Sequence, residues 1–331
     1  IGRLRLTALH EPAKFLKDGR EQIELVVPEF DRLGDSQGLA KAWHLLAYLD
    51  WSRGRLALAG VAAERARAFA RDADDPYWEA TILGLHCLIL YWGPTPLDEV
   101  DRQVREALAE AQRGAVRNLE ATALTVLARI AALRGDLEEA RELVLSAEAV
   151  AVELDQSLTR AAGCISQALI EMCADDLSAA EAALRVGYRD LERMGDTGPL
   201  ASVAAMLARV RLLRGDADQA EELTRTCERI AAPEQLDAQV RWRSIRAIAL
   251  ARRGEADEAE RLARHAVHLV GKTDQLDSRA EAHVDLAEVL RLAGRAGEAT
   301  LELERAVVLY QEKGNEIGER NARRQLARVS G

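Results

Sequence analysis

The stretch ARIAALRGDLEEARELVLSAEAV at residues 128–150 is echoed by ARVRLLRGDADQAEELTRTCERI at 208–230 and by AIALARRGEADEAERLARHAVHL at 247–269. In each, apolar residues recur at helical spacing, stop at Arg-Gly, and resume after an acidic residue. A glycine ends a helix where a left-handed residue is needed, and an acidic residue directly after it suits the first turn of the next helix. Aligned on this turn, the chain repeats at Gly54, Thr95, Gly135, Asp175, Gly215, Gly254 and Gly294, a period of about 40 residues. The second repeat departs from the pattern, with Pro94-Thr95-Pro96 in the turn.

Small residues keep phase with the turn. Before it stand Ala47, Leu88, Ala128, Ala168, Ala208, Ala247 and Ala287; after it come Ala59, Val100, Ala140, Ala180, Ala220, Ala259 and Ala299. A third column holds Ala66, Ala107, Ala147, Gly187, Cys227, Ala266 and Ala306. All but Leu88 and Val100 are Ala, Gly or Cys, which lets two antiparallel helices approach closely where their ridges cross. The expected fold is therefore all-α: a right-handed α-solenoid of tetratricopeptide-like (TPR-like) helix-turn-helix repeats, their helices lengthened to give the 40-residue period.

Composition agrees. The 331 residues are 48% hydrophobic and only 4% aromatic, with Ala, Leu, Arg and Glu prominent, which disfavours pleated sheets. The length that would ordinarily imply two domains reads instead as a single superhelical domain over 1–331. Residues 1–38 form a degenerate N-terminal repeat or cap, 39–315 about seven repeats, and 316–331 a capping helix. In the degenerate part a helix from Arg3 to Lys17 is expected, then a turn at Asp18-Gly19, then a helix through Leu33. With Ile1 in first place and no initiator Met, the chain reads as an excised or processed piece.

A net charge of -10 without a clustered basic run argues against direct nucleic-acid binding. No apolar run approaches the roughly 20 residues of a membrane span. Cys87, Cys164, Cys173 and Cys227 lie in apolar helical stretches without CxxC spacing, as reduced thiols of a cytoplasmic protein would.

Several stretches go beyond the general repeat. PEFDRLGDSQGLAKAWHLLAYLDWSRGR (28–55), YWGPTPLDEV (91–100), AAPEQLDAQVRWRSIRAIALARRGEADEAERLARHAV (231–267) and AHVDLAEVLRLAGRAGEATLELERAVVLYQEKGN (282–315) resemble the C-terminal TPR region of bacterial multidomain signalling proteins. In that family a class III adenylate or guanylate cyclase, or another output domain, precedes an AAA/STAND-type ATPase and then the solenoid. The resemblance implies a regulatory, partner-sensing segment. The cyclase and ATPase motifs themselves are absent from these residues.

No catalytic, cofactor or metal site is expected. Gly271-Lys272-Thr273 matches the end of a phosphate loop, but Ala266 replaces the required glycine and a helix precedes it. His265 and His268 share a helix face without a third ligand. His283 lacks an HExxH setting. The acidic pairs Glu138-Glu139 and Glu221-Glu222 complement helix dipoles.

The candidate site is the concave face lined by first helices. Its predicted partner or ligand groove comprises Lys41, His44, Tyr48 and Trp51, then Ile89 and Trp92, then Arg129, Met172, Arg209, Arg241, Glu288 and Arg291. Trp51 and Trp92 occupy equivalent places in adjacent repeats, near Tyr48 and His44. They serve either as a ligand anchor or as filling between repeats. Trp43 falls at a core position. Arg129, Arg209, Arg241 and Arg291 form a possible basic stripe for acidic side chains. His44, Tyr48 and His86 stand where a chaperone-tail clamp would need Lys and Asn, which argues against that ligand. The expected partner is a protein or peptide segment, or the protein's own upstream ATPase or cyclase domains; the alternative is a small-molecule inducer held inside the solenoid.

Overall fold

The computed structural model describes residues 2, 4, 12–233 and 235–330. Among them the chain forms sixteen helices in tandem and no strand. They are α1 (Pro12–Leu33), α2 (Ser36–Ser52), α3 (Leu56–Asp72), α4 (Pro76–Trp92), α5 (Leu97–Arg113), α6 (Arg117–Arg134), α7 (Leu137–Glu153) and α8 (Ser157–Cys173). There follow α9 (Leu177–Met194), α10 (Thr197–Leu213), α11 (Ala217–Ile230), α12 (Leu236–Arg252), α13 (Ala256–Val270), α14 (Leu276–Leu292), α15 (Ala296–Lys313) and α16 (Glu316–Ser330). Each even-numbered first helix from α2 to α14 packs on its own second helix, and each from α2 to α12 also packs on the next first helix, which makes the even-numbered helices from α2 to α14 a continuous inner layer. The fold is the expected TPR-like α-solenoid.

The Arg-Gly-acidic punctuation divides its labour by residue. Gly54, Gly135, Gly215, Gly254 and Gly294 all have positive φ, and Asp175 takes the same conformation. Asp176 and Asp216 cap α9 and α11 by accepting from their first-turn amides. The arginine reaches back to the preceding repeat's second helix: Arg134 to Asp98 at 2.6 Å, Arg214 to Glu181 at 2.7 Å, and Arg253 to Glu221. In the seventh repeat Arg295, after the glycine, does the same with Glu260 at 2.6 Å. Glu221 is thus a bridge between repeats, and it is Asp218, not Glu221, that lies in the α11 first turn. Half-exposed ion pairs contribute roughly 0.2–1 kcal/mol each, so they fix register, while cohesion comes from the apolar seams.

Those seams hold the small-residue columns, which are buried apart from Leu88. At Gly187 an added Cβ would lie 2.2 Å from Cys164 Sγ and 2.7 Å from the Ala161 carbonyl oxygen, so α8 and α9 touch through backbone. A polar ladder joins successive first helices at their starts. Gln37 donates to Asp75 at 2.7 Å, Gln156 to Asn118 at 2.6 Å, Gln235 to the Gly198 carbonyl at 3.0 Å, and Asn315 to Asp277 at 2.9 Å.

The N-terminal expectation needs correction. Only its later part is described, and there α1 runs unbroken through Asp18-Gly19 and past Pro28. Gly19 serves packing instead of turning: a Cβ there would meet the Phe15 ring at 2.9 Å and Leu49 at 3.2 Å. The turn comes at Gly34, with φ +65°. At the other end α16 buries Ile317 and Ala322 and leaves Arg320, Arg323, Arg324 and Arg328 in solvent.

The superhelix winds tightly enough to seat its late repeats on its early ones. Helix α3 has Arg55 at its N-cap, which supplies no side-chain acceptor. Asp274, from the loop between α13 and α14, takes that place: its carboxylate accepts from the Leu56 and Ala57 amides at 2.8 Å each. Its own N–H donates to the Gly54 carbonyl at 3.2 Å. Thr273 is buried over Gly54, where an added Cβ would sit 2.5 Å from its methyl. One repeat further on, Lys313, 1% exposed, donates to the carbonyls of Leu90 at 3.3 Å, Gly93 at 2.8 Å and Thr95 at 2.8 Å. The next contact brings Ile317 to the Gly135 turn. The polar contacts span 217 to 223 residues, roughly five and a half repeats of the period. The Pro-Thr-Pro turn and the incomplete phosphate loop thus both belong to this seam.

Candidate functional site

The inner layer carries the predicted groove residues, and the winding brings several of them face to face. Toward the N-terminus Tyr48, Trp51 and Trp92 are half-buried beside the apolar core shared by α1 to α4, whereas Ile89 is fully inside it. The Tyr48 and Trp51 rings lie 5.7 Å apart, and Trp92 stands edge-on to Tyr91 at 5.0 Å. His44 turns to Trp78, ring to ring at 5.3 Å, and the Lys41 ammonium lies 5.7 Å from that same ring. The aromatics therefore form two groups, Tyr48/Trp51 and Tyr91/Trp92, with His44 and Lys41 drawn aside onto Trp78. Trp43 is half-buried instead of core. It lines an open hollow of about 460 Å³ between α1, α2 and α3, with Arg65 4.7 Å over its ring.

The arginine stripe is largely self-neutralised. Arg209 makes a two-pronged pair with Asp285 at 2.5 Å, two repeats away. Arg241 bonds Asp237 at 2.8 Å and Glu281 at 3.2 Å. The space remaining among Arg209, Arg241, Ser244, Ser278 and Glu281 is about 10 Å³, room for one water. Arg291 is exposed and pairs with Glu288 at 2.7 Å. Arg129 differs: its Nε donates to Ser166 at 2.9 Å, and its guanidinium lies 5.6 Å from the Trp92 ring and 5.7 Å from Tyr91. Burial lowers its pKa. Met172 is half-buried beside the apolar core shared by α8, α9 and α10.

Sequence reasoning missed Trp78, Tyr91, Asp237 and Asp285. A signal existed for two of them: Trp78 and Asp237 share a register with Gln37, Asn118 and Asp277, at the second or third residue of each first helix. Asp285 gave none, because its partner lies 76 positions away.

The remaining reactive side chains are occupied. Burial pushes the thiols of Cys87, Cys164, Cys173 and Cys227 up to about 12, which keeps them protonated. His283 Nδ1 lies 2.5 Å from Glu302 across the α14–α15 pair. His265 and His268 are exposed on α13. Among the described residues no three of His, Cys, Asp or Glu stand together as a metal would need, and no helix is long and apolar enough to cross a membrane.

No protein-family model matches the chain, and no curated protein does. Solved structures match. A Rap protein complexed with Competence and Sporulation Factor superposes with a TM-score of 0.73 at 16% identity, over 99% of this chain and 85% of that one. The apo form of RapI gives 0.58 at 13%, covering 82% and 98%. The apo quorum sensor NprR from B. thuringiensis gives 0.51 at 12%, covering 89% and 93%. With these the chain shares a fold, the wound TPR-like solenoid.

Proposed function

We propose that this chain is a non-catalytic interaction and regulatory module whose inner face takes a peptide or protein segment. The observation that carries the reading is the half-buried rings of Tyr48, Trp51 and Trp92 on adjacent first helices, Trp92 backed by the buried Tyr91, in a chain with only 4% aromatic residues. Rigid amphipathic rings supply large contact area at small entropic cost, which is why they anchor interfaces. That a Rap protein of the same fold is complexed with Competence and Sporulation Factor supports a ligand on such a scaffold. The resemblance in 28–55, 91–100, 231–267 and 282–315 supports reading the module as part of a larger bacterial signalling protein with an ATPase and a cyclase or other output domain. There the bound segment would be a partner's or the protein's own.

The test is selection of peptides from a displayed library against the chain, followed by calorimetric titration of the best binder with Trp51→Ala and Trp92→Ala. Each variant is expected to weaken binding by about tenfold or more, as loss of an anchor worth about 2 kcal/mol would. Unchanged affinity in both folded variants overturns the site.

A further inference from the structure

We infer that Arg129 is a carboxylate-receiving site inside the superhelix, anchoring an acidic side chain or chain terminus of the bound segment. The inference rests on the reading of the inner face as the binding face, and it names the chemistry of the anchor.

Its ground is a contrast within one row of side chains. The chain supplies its own carboxylates to Arg209, Arg241 and Arg291. Arg129 has a hydroxyl on Nε and two aromatic rings 5.6 and 5.7 Å from its guanidinium, and among the described residues its terminal nitrogens donate to no acceptor. Arg129 as a whole is half-buried, so the side chain is not sealed in the core. The Ser166 bond holds the guanidinium through Nε and leaves the edge formed by its two terminal nitrogens for another acceptor. A planar carboxylate accepts two parallel N–H bonds from that edge. A desolvated cation without a counter-ion is costly, and a carboxylate relieves the cost. The neighbouring charges permit it: Arg241 is already paired with Asp237 and Glu281, so the Asp237 carboxylate that acts on Arg129 is itself bonded to Arg241.

The position of Trp92 beside the guanidinium provides a reporter. At fixed ionic strength, iodide is expected to quench the tryptophan emission of the parent more strongly than that of Arg129→Gln, by about twofold in the portion that Trp92→Phe removes. Caesium should show no such difference. Sodium acetate should suppress the excess iodide quenching. N-acetylated tetraglutamate amide and N-acetylated tetraglycine with a free terminus then show whether the side-chain or the terminal carboxylate competes better. Equal iodide quenching in parent and folded Arg129→Gln overturns the proposal, as does failure of all three carboxylates to compete. Should Arg129→Gln not fold, Arg129→Lys keeps the charge and loses the fork. Weakened acetate competition in that variant supports the proposal, and competition equal to the parent's overturns it. None of these readouts uses the selected peptide, so a failed Arg129 site and a failed aromatic groove are distinguishable.

Discussion

Replacing Lys313 by Met should loosen the seam at a point far from the substitution. Lys313→Met keeps the length of the side chain and removes the ammonium, leaving the Leu90, Gly93 and Thr95 carbonyls without their donor. Each charge-assisted bond contributes about 1.5 kcal/mol or more, and the methionine recovers part of the loss through apolar burial, so a net cost of about 3 kcal/mol is expected. If the seam opens as one unit, that cost appears in every protection the seam provides. The Leu56 and Ala57 amides, held by the Asp274 carboxylate, are the sharpest reporters, because no residue of their own helix end caps them. Native-state hydrogen exchange should show these two amides exchanging about 100-fold faster in the variant, about two decades for 3 kcal/mol. Amides in the middle of α8 and α10 should keep parental rates. Acceleration confined to residues 90–97, with Leu56 and Ala57 unchanged, would refute the cooperative seam.

Two further outcomes follow from the packing. Burial pushes the Asp277 carboxyl up to about 6 from an ordinary 3.8. The folded protein then holds a proton that the unfolded chain sheds: the contribution is fully present below about 3.8 and is lost as pH rises to about 6. Asp277→Asn should therefore gain melting temperature relative to the parent between about pH 4 and 6.5, by the equivalent of about 1–2 kcal/mol; a difference that does not vary with pH contradicts the assignment. Gly187→Ala forces α8 and α9 apart and should cost about 1–3 kcal/mol in urea unfolding. Faster labelling of the Cys164 thiol by a disulfide reagent should accompany that loss, and an unchanged urea midpoint would count against the backbone contact.

The repeat was legible because each of its parts is local. A left-handed glycine, an acidic residue behind it and small residues in phase are properties of one helix pair, repeated. Which residues lie on the first helices was legible to the same degree, since that follows from helical periodicity about a known turn. What the periodicity could not carry was pairing between repeats. Arg209 looked like a solvent-facing cation until Asp285 came to meet it, and Asp18-Gly19 looked like a turn until Phe15 and Leu49 explained the missing side chain. The irregularities held more information than the consensus. Pro-Thr-Pro and Gly-Lys-Thr broke the pattern in two different repeats, and each proves to be half of a contact whose other half lies about 220 residues away.

That spacing bears on how such a chain can change over generations. An open solenoid tolerates duplication of a unit, because each unit meets only its neighbours. Here a unit inserted between the Gly135 and Gly254 turns would carry Asp274 and Lys313 around the axis by one step, leaving α3 without its cap and the buried ammonium over the wrong turn. Seating the late repeats on the early ones turns the number of intervening repeats into a fixed quantity, as closure fixes the number of staves in a barrel.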